Sequence, residues 1–118
     1  MWSRRSISDK RIIVTGASSG IGRELSRQLA AQGASLILTA RREDRLTELV
    51  SEIRSAGGQA HYVVGDIVDQ DVRRRIVQSA RDHFDGLDVL VNNAAVRDAL
   101  LANDAVRPTL DKARRAHV

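Results

Sequence analysis

Thr15-Gly16-Ala17-Ser18-Ser19-Gly20-Ile21-Gly22 is the stretch that decides how this chain folds. Arg11-Ile12-Ile13-Val14 precedes it, a short apolar and β-branched run of the kind that forms a buried parallel strand. Leu25, Leu29 and Ala30 follow at helical spacing, so the stretch is a strand-to-helix turn. The three glycines have separate tasks. Gly16 allows the sharp exit from the strand, Gly20 leaves the backbone bare, and Gly22 lets the helix pack closely. Free N–H groups and the positive end of the helix dipole then face one point, where a pyrophosphate would sit. Ser18 and Ser19 add hydroxyl donors, and Ser19 is a candidate helix cap.

The same alternation continues along the chain. Residues 1–9 read as a loose N-terminus. The first strand spans 11–15 and the first helix 20–32, closed by Gly33. Ser35–Ala40 is the second strand. Glu43 and Asp44 open a second helix with apolar stripe Leu46, Leu49, Val50 and Ile53, and Gly57-Gly58 stops it. Ala60–Val64 is the third strand. Asp69 caps a third helix over 70–84, with Val72, Ile76, Val77 and Ala80 facing inward. Asp85-Gly86 turns into a fourth strand, Leu87–Val91, which runs into Asn92-Asn93-Ala94-Ala95. Residues 97–118 read as a helical or irregular tail, either packing on the sheet or unrelated to it. The fold class is therefore α/β: one three-layer, Rossmann-like half with helices on both faces of a parallel sheet. Right-handed crossovers give about four strands in the order 3-2-1-4. The switch point lies between strands one and four, at Gly16–Gly20 and Asn92–Ala95, and ligands bind at such points.

The spacing G-x-x-x-G-x-G, with Thr15 before it, resembles the glycine motif of the short-chain dehydrogenase/reductase family. Asn92-Asn93-Ala94-Ala95 is similar to that family's Asn-Asn-Ala-Gly segment, departing at Ala95. The resemblance covers residues 9–96 and implies a dinucleotide cofactor. It implies that Gly16, Ser18, Ser19, Gly20, Ile21 and Gly22 hold the diphosphate and that Asn92, Asn93 and Ala94 line a ribose. It also implies that Asp66 meets the adenine amino group and Ile67 the ring; the other role open to Asp66 is to stabilise its loop. Strand two ends Thr39-Ala40-Arg41-Arg42, with no acid to hold ribose hydroxyls. Arg41, helped by Arg42, suits a 2′-phosphate, so NADP is favoured over NAD; the alternative is pairing with Glu43 or Asp44.

The family's Tyr-x-x-x-Lys pair is missing from this sequence. Tyr62 is the single tyrosine, Asp66 stands four residues on, and the lysines are Lys10 and Lys112. The expectation is thus a truncated single domain, 1–118, that binds NADP(H) for an oxidoreductase but is inactive alone. The alternatives are a non-catalytic NADP(H) module and a basic nucleic-acid-binding protein. The net charge of +4 raises the last of these, but a 3% aromatic content leaves no stacking platform, so nucleic acid is not expected as a partner. No apolar run is long enough to span a membrane. The absence of cysteine fits a reducing compartment, and the cytoplasm is the expected location. His61, His83 and His117 lack metal-ligand spacing and read as surface residues. Strand four, apolar on both faces, would be an exposed edge and a route to self-association or poor solubility unless the last segment covers it.

Overall fold

A computed structural model describes residues 7–18 and 20–93. Strand β1 (Arg11–Thr15) leads into helix α1 (Gly20–Ala31), then β2 (Ser35–Ala40) and α2 (Glu43–Ser55). They are followed by β3 (Gln59–Val64), α3 (Gln70–Phe84) and β4 (Val89–Val91). All pairings are parallel and the strand order is β3-β2-β1-β4. Ile13 lies opposite Ile37 of β2 and Leu90 of β4, which sets the register across the centre.

The period-two alternation of the strands sends their side chains into two cores. Ile12, Val14, Leu36, Leu38 and Ala60 meet Ala30 of α1 and Leu46, Leu49, Val50 and Ile53 of α2 on one face. Ile13, Ile37 and Val63 meet Val72, Ile76 and Ala80 of α3 on the other. Leu36, Leu38, Leu46 and Leu49 have no exposed surface, and each stabilises the fold by roughly 1.5–3 kcal/mol. Helix α1 buries Gly22, Ser26 and Ala30, a stripe of small residues that brings its axis close to the sheet, while Leu25 and Leu29 are half-buried beside it.

Two expectations need correction. Val77 is 42% exposed. Val72, Ile76 and Ala80 follow i, i+4, i+8 spacing, and Val77 stands about 100° round the helix from Ile76, on the flank. The fourth strand is shorter than 87–91: its paired residues are Val89–Val91, and Leu87 and Asp88 lie before them. The Asp88 N–H donates to Arg11 O at 2.8 Å, and its carboxylate accepts from Arg11 in return. Its Oδ2 takes the Arg11 Nε and backbone N–H, both at 2.9 Å, and its Oδ1 takes Nη2 at 2.9 Å. Arg11 Nη1 also donates to Asp85 O at 3.1 Å, so one guanidinium ties β1, β4 and the end of α3 together. The Arg11 hydrogen bonds hold the Asp88 carboxyl far below its ordinary value. Val89 and Leu90 are 39% and 54% exposed, and among the described residues β1 is β4's sole partner, so β4 forms the sheet edge.

Candidate functional site

The carboxyl ends of the strands carry the candidate site, and hydrogen bonds between them fix its shape. The Ala17 N–H donates to Thr39 O at 3.1 Å, pinning the glycine loop to the end of β2. The Gly65 N–H donates to Ala40 O at 3.0 Å, pinning the loop after β3 to the same strand. Thr39 Oγ1 donates to Val63 O at 2.7 Å beneath them. Thr15, fully buried, places its Oγ1 3.3 Å from both Val91 O and Asn92 Oδ1, joining β1 to the end of β4. Four sequence-distant loops thus share one ledge.

The glycines behave differently within it. A Cβ on Gly22 would lie 2.2 Å from Gly16 O, so only glycine allows α1 to start this close to its own loop. Gly20 has φ +57°, and no other described residue comes within 4 Å of where its Cβ would be. The first turn of α1 contains no acidic residue, and its leading N–H groups lack intrahelical acceptors, so the helix's positive end is left uncompensated by its own side chains. Ile21 is 57% exposed beside it. Ser18 is half-buried; Ser19 and Ala94 lie outside the described residues.

Arg41 and Arg42 are both exposed at the end of β2, but they differ in their partners. Arg42 Nη2 lies 3.3 Å from Asp44 Oδ2, whose carboxyl is held below its ordinary value first by the Arg45 N–H and then by Arg42. Arg41 has no hydrogen bond or ion pair among the described residues. Asp66 takes up the local role that its sequence left open: its Oδ1 accepts the Val68 N–H at 3.1 Å. Asp69 is the cap of α3, accepting from the Asp71 N–H at 2.9 Å. Ile67 packs against the α3 core. Asn92 is exposed and Asn93 half-buried.

Two side chains of the arginine run 73–75 turn back onto the backbone before α3. Arg73 Nη1 donates to Ile67 O at 2.8 Å and Val68 O at 2.9 Å, and Arg75 reaches Val64 O at 3.3 Å as well as Asp71. Sequence reading missed this, since nothing in three adjacent arginines says which one turns back to the loop. Tyr62 lies on β3, 38% exposed, and Lys10 precedes β1 at the opposite end of the sheet from the glycine loop. His61 and His83 stack with ring centroids 3.5 Å apart, so His61 is a half-buried partner of α3 rather than a surface residue. Among the described residues no group of three or more His, Cys, Asp or Glu could hold a metal ion, and no helix is long and apolar enough to cross a membrane.

A model of the short chain dehydrogenase family matches residues 10–114. The chain belongs to the short chain dehydrogenase family. It is 42% identical over 92 residues to a peroxisomal 2,4-dienoyl-CoA reductase of Arabidopsis thaliana, covering 78% of this chain and 31% of that protein. It is 41% identical over 86 residues to an A-factor type gamma-butyrolactone 1'-reductase of Streptomyces virginiae, covering 73% and 34%. The fold is similar to L-sorbose reductase from Gluconobacter frateurii, solved with NADPH and L-sorbose. That match has TM-score 0.70 and 38% identity, and covers 74% of this chain and 34% of that one. The chain spans about a third of the length of these relatives. The Rossmann-like sheet in order 3-2-1-4 is therefore that of the family.

Proposed function

We propose that this chain is the NADP(H)-binding portion of an oxidoreductase of the family, gripping the adenine half of the cofactor along the ledge. The observation that carries the reading is the glycine loop. Gly20 has no other described residue within 4 Å of its Cβ position, and Gly22 brings the acid-free N-terminus of α1 against the loop. These residues fit a diphosphate, which takes backbone N–H groups and a helix N-terminus as its ligands. Gly16, Ser18, Ser19, Gly20, Ile21 and Gly22 would hold it. Arg41, unpaired among the described residues, would take the 2′-phosphate, with Arg42 held back by Asp44. Asp66 and Ile67 would meet adenine, and Asn92, Asn93 and Ala94 the ribose. When bound, the cofactor's nicotinamide supplies or accepts a hydride.

Residues 1–118 hold no Tyr-x-x-x-Lys pair, since the single tyrosine, Tyr62, lies in β3 with Asp66 four residues on, so this chain taken alone would bind cofactor without turnover. That same observation favours a second reading, a non-catalytic NADP(H)-binding module. Both predict that NADPH at a hundredfold excess over its Kd raises Tm by roughly 10 °C or more, with NADH giving a smaller shift. No shift with either nucleotide refutes both. Robust NADPH consumption with a panel of aldehydes and ketones, abolished by Tyr62→Phe, overturns the claim of inactivity.

A further inference from the structure

We infer that Arg73 is a positioning residue for adenine recognition: it does not touch the cofactor but holds the loop that does. This rests on the dinucleotide site proposed above. Residues 65–68 leave β3 and must present Asp66 and Ile67 along the ledge. Their backbone carbonyls at Ile67 and Val68 point toward α3, and the same Arg73 nitrogen, Nη1, donates to both, at 2.8 and 2.9 Å. Two consecutive carbonyls held by one cation fix the peptide plane between them. That plane contains the Val68 N–H, which donates to Asp66 Oδ1 at 3.1 Å. The orientation of the Asp66 carboxylate is therefore set in sequence: guanidinium, carbonyls, amide, carboxylate. Asp66 O accepts the Asp69 N–H at 3.0 Å, so the base of the loop is anchored independently at the start of α3. Loss of Arg73 leaves that anchor and the helix cap in place and frees the segment that carries the carboxylate.

An arginine suits the task because its guanidinium stays charged and its donors are fixed in one plane. Lysine could satisfy the same carbonyls as a point donor, with less control of direction.

The test compares the unaltered chain with Arg73→Ala and Arg73→Lys, by calorimetry, against NADPH and against its analogue carrying hypoxanthine in place of adenine. The analogue lacks the amino group that Asp66 would bind. Arg73→Ala should weaken NADPH binding about three- to tenfold, the worth of one such hydrogen bond, while Arg73→Lys recovers part of the loss. The analogue should lose little more on the same substitution, because the two changes remove one coupled interaction. Amide exchange of Val68 in the cofactor-free chain should be faster in Arg73→Ala, a readout that needs no ligand. Unchanged NADPH affinity, equal fold-losses for both nucleotides, or unchanged Val68 exchange would overturn the inference alone. Failure of the unaltered chain to bind either nucleotide refutes the dinucleotide reading and this inference with it.

Discussion

Alanine at Gly22 and alanine at Gly20 should damage this protein by different routes, and the difference tests the glycine loop directly. At Gly22 the new Cβ would stand 2.2 Å from Gly16 O and 3.0 Å from Gly16 C. An ordinary carbon–oxygen contact is about 3.3 Å, so α1 and the loop must separate by about 1 Å. Both sides are backbone and Gly22 is buried, so no side chain can yield instead. Overpacking of this kind costs roughly 1–3 kcal/mol, which for a domain of this size lowers Tm by roughly 5–20 °C. At Gly20 the methyl meets no other described residue within 4 Å, and the penalty is the left-handed backbone at φ +57°. That strain is about 1 kcal/mol, or roughly 4–8 °C in Tm. The methyl nevertheless occupies the space over the loop where a diphosphate would lie. Losing one charge-assisted hydrogen bond there should weaken NADPH binding about ten- to a hundredfold. Scanning calorimetry and NADPH titration on both variants give the answer. Gly20→Ala that binds NADPH as tightly as the unaltered chain refutes the placement of the diphosphate. Gly22→Ala with an unchanged Tm refutes the close-packing argument.

Four further outcomes are expected. Arg41→Ala should weaken NADPH about ten- to a hundredfold and leave NADH unchanged, whereas Arg42→Ala should do less because Arg42 is paired with Asp44; titration of both nucleotides checks this. The Asp88 carboxyl is held down in the folded state by Arg11, so its stabilisation is present above the ordinary value of 3.8 and is lost as pH falls below it toward the folded pKa. Melting curves from pH 5 to pH 2 should show that loss, and Asp88→Asn should lower Tm at neutral pH while flattening the acid limb. His61 adds a second window. Arg54 Nη2 lies 3.1 Å from its Nδ1, and a guanidinium can only donate, so the fold selects the neutral ring. Burial first, then His83 and Arg54, lower its pKa, so this stability is present above 6.5 and fades as pH falls through that value; His61→Phe should remove the fade from the melting curves. Finally, among the described residues β4 is an apolar edge with Leu90 54% exposed, so light scattering should show concentration-dependent association that Leu90→Lys reduces. A monomer at every concentration would count against it.

What the sequence made legible was what short-range chemistry dictates. The β1–loop–α1 unit, the stripe Leu46, Leu49, Val50 and Ile53, and the Asp69 cap all rest on residues within a few positions of one another, and each stands where the pattern placed it. The competing role for Asp66 was visible for the same reason, since an aspartate two residues before an N–H readily turns back to it. Val77 was misplaced because a β-branched residue next to Ile76 fits an apolar count, while the helix's rotation decides burial. The clamp between Arg11 and Asp88 joins residues 77 apart, a long-range pairing that no local pattern announces, and β4 spans only Val89–Val91 of the run 87–91. The stack of His61 on His83 likewise depends on β3 lying under the end of α3, which no local pattern reveals.

If the amides at the first crossover grip a dinucleotide's diphosphate, titrating the isotopically labelled chain with NADPH and following each backbone amide by NMR will reveal it. The largest shifts are expected at Gly16, Ser18, Gly20, Ile21 and Gly22, with Arg41 and Asp66 moving in step. Shifts confined to the exposed arginines of α3, or none at saturating nucleotide, would contradict it.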